Sequence, residues 1–385
     1  MTTPDTTMDV TVEAGDLADA MAWVRPAAAT RPRVPTLTGA RLSIIDGRLR
    51  IEAHDGTRQA RYADVPATGT TTSDVLSLLT SAVALDKLVA GVPSASPVRI
   101  RHNGSRIHVS APTITADLVT MPVEDYPPPP ALPEPAGTVA AVAFADAVTR
   151  VAPAASRDKT IPILSGIGIE ASAAGLRLRT TDRFRITAVD LDWPHPNGFD
   201  QVVVPATILK VIARTVRRLP GDVAIGTTHL PGIGPAFGIR AGHRTAVIHA
   251  LIGQLPDLDT IAPEEFVATV TVDRKALIRV LTDIRAVTPT HRVALDIAPG
   301  IGALTVRTHN IEENNVAHAL PCNADTTVPV QVSFNPDHLA QTLKAAASTT
   351  AILRFGWKAL DPTDPGVVVI YTDYRAILQP LRTNE

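Results

Sequence analysis

The residues of this chain with the clearest chemistry are cationic side chains that recur along one face of a predicted helix, residues 205–219. Four of them are spaced at i, i+4, i+7 and i+8: Lys210, Arg214, Arg217 and Arg218. Apolar residues from Ile208 to Val216 take the opposite face, so the segment predicts an amphipathic helix with a basic outer stripe. Cations arranged in this way attract phosphate oxygens without reading a base sequence.

Further cations occur at corresponding places elsewhere in the chain. Two loops, each after a predicted helix, hold a pair of them: Arg31 and Arg33, then Arg157 and Lys159. Another predicted helix adds four more, diluted by Asp273 and Asp283: Arg274, Lys275, Arg279 and Arg285. Exposure to solvent is enough to explain the cations on any one of these helices. Their recurrence at equivalent positions of the chain favours one shared surface that attracts phosphates.

Residues that could catalyse a reaction are not arranged for it. The sequence has no Walker loop and no Gly-x-Ser-x-Gly elbow, and its histidines are scattered rather than paired at metal-ligand spacing. Asp55 and Asp182 end equivalent predicted strands, which favours a structural turn role over a paired acid and base. The single cysteine, Cys322, excludes an internal disulfide and a Cys-based zinc site. We therefore predict a protein that is not an enzyme and holds no cofactor and no metal.

The overall charge restricts where a basic surface can lie. The formal net charge of the 385 residues is −2, whereas a protein that grips DNA over its whole surface is strongly basic. If nucleic acid is bound, the positive charge must be confined to one face. The Thr-rich start of the chain lacks the apolar core of a signal peptide, and no apolar stretch approaches the roughly 20 residues of a membrane span, so we expect a cytoplasmic protein.

The elements that would position these residues occur three times along the chain. An alternating strand followed by a segment of helical period occurs at three places: Met8–Val24, Val139–Ala152 and Val267–Ile284. Each copy is followed by two strands around a turn: Gly39–Asp55, Gly166–Asp182 and Arg292–Asn310. The dipeptides Asp46-Gly47 and Ala174-Gly175 are hairpin turn signals.

Each unit then continues with a second helix and further strands. The second helices are expected at three segments: Ser73–Val92, Pro205–Leu219 and Asn335–Ala347. Pro205 and Pro336 stand at helix starts, where a missing N–H costs nothing. Strands are expected at Val98–Val109, Val223–Ile225, Thr245–Leu251, Ile352–Phe355 and Val367–Tyr371. Proline-containing crossings at Pro127–Pro135 and Gln254–Leu258 separate the units.

This order predicts an α+β protein of three similar domains with a period of roughly 128 residues. The domains would be residues 1–130, 131–260 and 261–385, each with two helices packed on antiparallel sheets. Units of this size, each with its own core, argue against a solenoid of short repeats and leave closure into a ring as the other arrangement.

Particular segments of the chain resemble a known family. Ile161–Leu191, which contains Thr-Asp-Arg-Phe-Arg, is similar to the middle domain of the beta subunit of bacterial DNA polymerase III, the beta sliding clamp. It is especially like clamps from high-GC Gram-positive bacteria. Five further segments resemble the family in the same order: Arg31–Leu42, Met121–Pro130, Gln254–Ile261, Phe334–Ala346 and Ile377–Arg382.

The resemblance implies the DNA-clamp fold, in which a head-to-tail homodimer closes into a ring with helices around a central hole. Such a ring would encircle duplex DNA as a processivity factor and tether DNA polymerase III and the clamp loader. Nine cations would face the DNA: Arg31, Arg33, Arg157, Lys159, Lys210, Arg214, Arg217, Arg218 and Arg279. The dimer interface would lie at Leu118 and its neighbours on an edge strand of the first domain, and at the stretch around Ile284–Val287 in the third domain.

The resemblance also implies a hydrophobic groove between the second and third domains, which receives the Leu and Phe side chains of short partner peptides. Eleven residues would form it: Leu164, Thr181, Arg183, Ile186, Pro256, Ile261, Ile377, Gln379, Pro380, Leu381 and Arg382.

Departures from the family pattern leave alternatives open. Gln379 stands where the family commonly has an apolar residue before the proline, and Thr383–Glu385 extends the tail. One alternative is a divergent accessory clamp with altered affinity for partners or inhibitors. Another, from a different class, is a repeat-built protein-interaction scaffold that binds no DNA.

Overall fold

The computed structural model describes residues 8–71, 76–102, 106–158, 160–287, 292–308, 315–356 and 367–381. The chain divides into two compact units: Met1–Val142 with Arg214–Ala250 (unit 1), and Ala143–Ala213 with Leu251–Glu385 (unit 2). Residues of the middle repeat contribute to both units. The three domains expected at 1–130, 131–260 and 261–385 therefore stay a prediction.

Seven α-helices lie within the described residues: α1 (Ala14–Val24), α2 (Ala82–Ala90), α3 (Ala141–Val151), α4 (Ala206–Val216), α5 (Leu258–Ile261), α6 (Arg274–Val287) and α7 (Pro336–Ala345). Four short 3₁₀ turns accompany them, at Arg25–Ala27, Pro35–Thr38, Ala152–Ala154 and Pro162–Ser165. None of these described helices is long and apolar enough to cross a membrane.

The first thirteen of the described strands are β1 (Met8–Glu13), β2 (Gly39–Ile45), β3 (Arg48–His54), β4 (Gln59–Pro66), β5 (Thr68–Thr71), β6 (Ser77–Ser81), β7 (Pro97–His102), β8 (Arg106–Ala111), β9 (Ile114–Val119), β10 (Gly137–Ala140), β11 (Gly166–Ser172), β12 (Gly175–Thr181) and β13 (Arg185–Leu191). The later strands are β14 (Phe199–Pro205), β15 (Asp222–Leu230), β16 (Gly234–Ala241), β17 (Arg244–His249), β18 (Ala268–Asp273), β19 (Val293–Ile297), β20 (Ala303–Thr308), β21 (Ala317–Thr326), β22 (Val330–Phe334), β23 (Thr350–Gly356), β24 (Val367–Tyr371) and β25 (Arg375–Leu378). A strand directly precedes each of α1, α3 and α6, so the predicted strand-then-helix repeat is confirmed at all three places.

Unit 1 is built on two sheets. One has the strand order β5-β1-β7-β8-β9, and the other has the order β10-β15-β16-β17-β4-β3-β2-β6. In the larger sheet β17 pairs antiparallel with β4, where Thr245 lies opposite Tyr62. Strands of the first and middle repeats therefore form one continuous sheet within this unit.

Unit 2 contains one continuous path of strands in the order β14-β11-β12-β13-β25-β24-β23-β18-β21-β20-β19-β22. Its central junction is the antiparallel pair of β13 and β25, which joins the middle repeat to the last of the described strands. Neighbouring strands here pair antiparallel, as the predicted α+β class requires. The junction of β13 and β25 is the place where the candidate groove residues meet.

The proline-rich crossing is attached to the larger sheet of unit 1 by side chains of β3 and β4. His54 Nε2 lies 2.9 Å from the carbonyl oxygen of Pro127. The Tyr62 hydroxyl donates to the carbonyl oxygen of Pro130 at 2.8 Å. Because proline cannot donate a backbone hydrogen bond, side chains from the sheet supply the donors that fix this segment.

One predicted helix is partly a strand. Within Ser73–Val92, the described residues Ser77–Ser81 form β6, and only Ala82–Ala90 is helical. A short apolar run fits a strand or a buried helix equally well by its periodicity. Here pairing with β2 decides the outcome, because it buries Leu78 and Leu79 in the sheet.

The two prolines expected at helix starts behave differently. Pro205 ends β14, one residue before α4 begins, so its predicted place inside the helix is wrong by one position. Pro336 opens α7 as predicted, and the Asn335 side chain caps this helix by accepting the N–H of Asp337 at 2.9 Å. Neither position needs a backbone N–H for the helix, which is why proline is tolerated at both.

Candidate functional site

An apolar cluster lies in unit 2 where β13 meets β25. Ile186 and Ile377 are directly opposite each other across this strand pair, and both are more than nine-tenths buried. The cluster consists of buried Ile186, Ala188, Leu258, Val369 and Ile377, with half-buried Ile261, Ala262, Phe266 and Tyr371 packed against them. These nine residues, named here the apolar cluster, can receive hydrophobic side chains of a ligand.

One wall of the apolar cluster is the single-turn helix α5. Leu258 is buried within the cluster, and Ile261 packs against it while keeping part of its surface exposed. The Asp257 side chain caps the helix by accepting the N–H of Asp259. A helix of four residues is not stable by itself, so contacts with the rest of unit 2 must hold α5 in place.

Four charged residues next to the cluster form a closed ring of ion pairs, named here the Arg–Asp ring. Around it, the nitrogen-to-oxygen distances are 2.6 Å for Arg177–Asp190, 3.1 Å for Asp190–Arg375, 2.7 Å for Arg375–Asp259 and 2.8 Å for Asp259–Arg177. Burial acts to raise the pKa of Asp259, but hydrogen bonds from Arg177 and Arg375 hold that pKa below its ordinary value. The hydrogen bond to Asp190 in turn raises the pKa of Arg177.

The turn between β12 and β13 presents an exposed tip beside the cluster. Arg183 has a φ of 83°, in the left-handed region that residues other than glycine rarely adopt. The Thr181 hydroxyl accepts the Arg183 N–H at 3.1 Å, and the Asp182 carboxylate accepts the N–H groups of Phe184 and Arg185, each at 3.1 Å. The turn is therefore fixed by side-chain bonds while 50% of the Phe184 surface stays exposed.

The equivalent turn of the first repeat is built in the same way. The Asp55 carboxylate, at the end of β3, accepts the N–H groups of Thr57, Arg58 and Gln59. The structural turn role predicted for Asp55 and Asp182 is therefore confirmed. In the part of the chain that the structure describes, no three His, Cys, Asp or Glu side chains are grouped to hold a metal ion.

Arg185 is the buried centre of a polar pocket behind this turn. Its guanidinium donates to Asp182 at 2.9 Å, to the carbonyl oxygens of Pro153 and His338 at 2.7 and 3.2 Å, and to the Gln341 side chain at 3.0 Å. Burial lowers the pKa of His338, although the Asp182 carboxylate counteracts this. A cavity of about 350 Å³, lined in part by these residues, opens beside Arg185.

Two backbone hydrogen bonds hold the C-terminal tail after β25. The Gln379 N–H donates to the Phe184 carbonyl oxygen at 2.8 Å, and the Leu381 N–H donates to the Ser333 carbonyl oxygen at 2.8 Å. Gln379 is exposed and Pro380 is buried. The tail is thus held by its backbone, which leaves the Gln379 side chain available. Arg382 lies outside the described residues.

The structure brings part of the predicted groove together. Ile186, Ile261 and Ile377 meet in the apolar cluster. Thr181 and Arg183 form the adjoining turn, and the tail residues Gln379, Pro380 and Leu381 follow β25. Leu164 is half-buried in the 3₁₀ turn Pro162–Ser165, and exposed Pro256 precedes the Asp257 cap of α5. Peptide binding by these residues stays a prediction.

Sequence reasoning missed several residues of this site. Ala188 follows Ile186 by two positions in a strand, so strand alternation could have assigned it to the same face. Leu258 and Val369 reach the cluster from separate segments, and no local pattern joins them. The same holds for the Arg–Asp ring, whose members lie on β12, β13, β25 and α5.

The basic stripe of α4 is exposed, as predicted. All four of its cations are on the surface: Lys210, Arg214, Arg217 and Arg218. Leu209 and Ile212 on the opposite side are completely buried. The helix ends at Val216, so the last two cations lie in the turn that follows it rather than on the helix itself.

The predicted loop cations are exposed too. Arg31 and Arg33 lie between the 3₁₀ turns of the first repeat, and Arg157 lies between those of the middle repeat, so the loops are equivalent. A cavity of about 540 Å³ in unit 2 is lined by Arg157 and Lys210, together with small polar side chains. Lys159 lies outside the described residues. Contact of these cations with DNA stays a prediction.

The cations of α6 differ from the expectation. Arg279 is exposed, with its guanidinium 3.9 Å from the Asp283 carboxylate. Arg274, expected on the basic face, is only 8% exposed, and its guanidinium donates to the carbonyl oxygens of Leu343 and Ser348. It satisfies acceptors at the end of α7, so its charge is not available on the surface.

The two residues predicted at a dimer interface have unlike environments. Leu118 lies on β9, the edge strand of the five-stranded sheet, and is half-buried. Ile284 is completely buried on the inner face of α6, so its side chain offers no surface to a second copy. Val287 in the last turn of α6 is 51% exposed and is the better placed apolar residue of that segment.

Two models of one protein family match successive parts of the chain. The DNA polymerase III beta subunit N-terminal domain matches residues 8–133, and the central domain of the same subunit matches residues 138–257. The beta sliding clamp of Streptomyces coelicolor is 29% identical over 355 residues, which cover 90% of this chain and 91% of that protein. The beta sliding clamp homolog GriR of Streptomyces muensis is 28% identical over 339 residues, which cover 86% and 87% of the two chains.

A solved structure gives the same assignment for the fold. The DNA polymerase III beta subunit of Pseudomonas aeruginosa bound to griselimycin superposes with a TM-score of 0.84 and 18% identity, over 98% of this chain and 100% of that chain. The two matching models also follow one another in the order of the family and span about two-thirds of the residues. The chain therefore belongs to the DNA polymerase III beta subunit family, the beta sliding clamps.

Proposed function

We propose that this chain closes as a head-to-tail homodimer around duplex DNA in the cytoplasm and tethers the replicative polymerase and other DNA-processing proteins. In this role it holds its partners on DNA and catalyses no reaction itself. The observation that carries the proposal is the apolar cluster at the junction of β13 and β25, in a chain of the sliding-clamp family.

The apolar cluster has the chemistry of a peptide-binding groove. Its buried floor of Ile186 and Ile377 suits the Leu and Phe side chains of a short linear segment. Around it, the polar turn from Thr181 to Arg185 and the exposed Gln379 supply groups that can fix the direction of a bound peptide.

The exposed cations support contact with DNA. Lys210, Arg214 and Arg157 are exposed although the chain as a whole carries a formal net charge of −2. Positive charge placed on limited surfaces attracts the phosphate backbone without base recognition. A closed ring needs only this weak attraction, because topology keeps it on the DNA.

The ring is tested by molar mass and by DNA topology on the same preparation. Light scattering should give about twice the 40.7 kDa of one chain. After incubation with a bacterial clamp loader and ATP, the protein should stay on nicked circular DNA during gel filtration and leave the same DNA after linearisation. A monomer with equal retention on both DNA forms contradicts the proposal.

The groove is tested with a short peptide and two matched variants. We expect the peptide Ser-Leu-Ser-Leu-Phe, with fluorescein attached at one end and the other end blocked, to bind the wild-type protein. Ile261→Ser, at the wall of the apolar cluster, should weaken binding by roughly ten-fold, the effect of losing about 1.4 kcal/mol of apolar contact. Ile301→Ser, which changes an isoleucine that is 66% exposed outside the cluster, should leave binding unchanged. Equal loss in both variants contradicts the groove.

An accessory clamp with altered affinity for partners or inhibitors is the second candidate function. Gln379 favours it, because this exposed polar residue stands on the tail where the family commonly has an apolar residue before the proline. A relative is named as a clamp homolog, and a similar solved clamp has griselimycin bound. Side-by-side titrations with griselimycin and the peptide should give affinities different from those of the Streptomyces coelicolor clamp. Equal affinities contradict this candidate, and absence of any DNA retention favours a protein scaffold.

A further inference from the structure

The Arg–Asp ring lies on the same face of the sheet as the floor of the apolar cluster. Side chains directly opposite each other in an antiparallel pair share a face, and so do residues two apart in one strand. Ile186 pairs with Ile377, and Ala188 pairs with Arg375. Asp190, two residues beyond Ala188, pairs with Arg177 on β12. The ring therefore lies beside the floor of the cluster on this face of the sheet.

The helix α5 is held by both features at once. Leu258 is buried in the apolar cluster, while the neighbouring Asp259 bridges Arg177 and Arg375 of the ring. Asp257, the cap of the helix, is 3.1 Å from the guanidinium of Arg179 on β12. A one-turn helix has too few internal hydrogen bonds to fix its own position, so these apolar and ionic contacts together fix where Ile261 stands.

We propose that the Arg–Asp ring is a positioning device for partner binding: by fixing Asp259 it sets α5, and with it Leu258 and Ile261, at the distance from Ile186 and Ile377 that admits an apolar side chain. The four ring residues are positioning residues and do not themselves contact the bound segment. This inference rests on the proposed function of the apolar cluster as a peptide groove.

The exposure of the ring suits a role in positioning rather than in overall stability. The side chains of Arg177 and Arg375 are 26% and 30% exposed, and those of Asp190 and Asp259 are 44% and 48% exposed. Ion pairs as accessible as these contribute little to folding because water competes for them. A closed network of four nevertheless restricts the geometry of each member, since moving one residue breaks two pairs.

The test compares the neutral peptide Ser-Leu-Ser-Leu-Phe, capped and carrying an uncharged fluorophore, on wild-type protein and on single variants. Asp259→Asn and Arg375→Gln should each weaken binding by roughly two-fold to five-fold, the range expected when a partly exposed ion-pair network is broken. The double variant should lose no more than either single variant, because both changes open the same ring. Asp296→Asn is the matched control, since Asp296 pairs with Arg307 on the hairpin of β19 and β20 outside the cluster. It should bind as the wild type does.

Salt dependence separates positioning from a general loss of structure. Raising NaCl from about 0.1 M to about 1 M shortens the screening length from roughly 10 Å to roughly 3 Å, which weakens the ion pairs of the ring. The uncharged peptide makes no ionic contacts of its own, so salt should act on its binding through the ring. The wild-type affinity should therefore fall with salt, and Asp259→Asn should show a smaller fall. Hydrogen exchange of the Ala262 amide, which donates to the Leu258 carbonyl oxygen, should be faster in the variant.

The outcomes distinguish this inference from the function on which it rests. Peptide binding with equal affinity and equal salt dependence in wild type and Asp259→Asn overturns the positioning role and leaves the groove intact. Unchanged exchange at Ala262 in the variant overturns it as well. A wild-type protein that binds no peptide overturns the groove and the positioning role together.

Discussion

At the scale of single residues, Arg183 carries backbone strain that a substitution can release. Its φ of 83° lies in the left-handed region, which costs about 1–2 kcal/mol for a residue with a Cβ atom. Arg183→Gly should raise the free energy of unfolding by about 0.5 to 1 kcal/mol, because the greater freedom of glycine in the unfolded chain offsets part of the gain. Urea denaturation followed by circular dichroism measures the change.

Arg183→Ala is the control for this substitution. Alanine keeps the Cβ atom and therefore the strain, while it removes the same long side chain, whose guanidinium is 3.8 Å from Asp158 on an exposed surface. We expect no gain in stability from alanine. If alanine and glycine stabilise equally, the strain at this turn is not what limits its stability.

His54 should make the stability of unit 1 depend on pH. Burial lowers its pKa below the ordinary value of 6.5, while the hydrogen bond to the Pro127 carbonyl oxygen acts in the opposite direction. The unfolded chain therefore takes up the proton first as the pH falls. Stability is fully present above pH 6.5 and is lost as the pH drops through 6.5 toward the lower pKa of the folded state.

A variant isolates the contribution of His54 from that of the other histidines. Glutamine can still donate to Pro127 but does not titrate, so His54→Gln should show a smaller loss of stability between pH 7.5 and pH 5 than the wild type. Urea midpoints at a series of pH values provide the comparison. Identical pH profiles for the two proteins would show that His54 titrates alike in the folded and unfolded chain.

How far single residues can be predicted depends on whether their partners are local. The turn role of Asp55 and Asp182 could be predicted because their acceptor bonds reach only residues two to four positions on. Arg274 and Ile284 could not, because helical spacing defines two faces without saying which one packs on the sheet. Their burial depends on α7 and on strands distant in the chain, and no local pattern encodes those contacts.

At the scale of elements, the proline-rich crossing depends on glycine in the strand beneath it. A Cβ atom on Gly226 of β15 would stand 2.1 Å from the carbonyl oxygen of Glu134. Gly226→Ala must therefore displace the crossing, and we expect it to lower the free energy of unfolding by roughly 1–3 kcal/mol. Thermal denaturation of the variant and the wild type gives the difference.

Gly91→Ala is a matched control for that change. Gly91 follows α2, has a negative φ of −88°, and a Cβ there would be 3.8 Å from its nearest neighbour, the Leu88 carbonyl oxygen. This substitution should be close to neutral. A similar loss in both variants would mean that glycine itself, rather than the close approach of the crossing, accounts for the effect.

The elements were predictable where periodicity is long and regular. The three strand-then-helix segments were confirmed because each has an alternating strand next to ten or more residues of helical period. The apolar residues of β6 fit the helical period as well as the strand period, so periodicity alone does not predict the strand. Strand β16 was missed because glycine and proline at its start resemble a turn, although the strand is fixed by pairing on both sides.

At the scale of the whole molecule, the three-fold repeat and the family resemblance predict the family of the chain. Only the structure shows that strands of different repeats pair into continuous sheets. The pairing of β17 with β4 and that of β13 with β25 each join strands of different repeats. Pairings of this kind form between backbones and leave little trace in side-chain patterns. The position of the apolar cluster on one of these junctions was therefore implied by the resemblance and could not be derived from spacing.

The exposed cations of α4 should determine how tightly the whole molecule binds DNA. Binding to a short duplex should weaken as salt rises, because each phosphate that a cation neutralises releases a counterion. The double variant Lys210→Gln/Arg214→Gln removes two exposed cations of α4. If both contact phosphates, the slope of log affinity against log salt should become shallower by roughly 1.8, or about 0.9 for each contact. Fluorescence anisotropy over a NaCl series measures the slope.

Arg240→Gln is the matched control, because Arg240 is an exposed cation on β16, and in the proposed ring the sheets face away from the hole. Its slope should equal that of the wild type, and the molar mass of both variants should stay at that of the dimer. If all exposed cations change the slope alike, DNA is attracted to the general surface of the protein rather than to a lined hole. A shallower slope in the α4 variant alone would place the phosphate contacts on the helical surface, as a sliding ring requires.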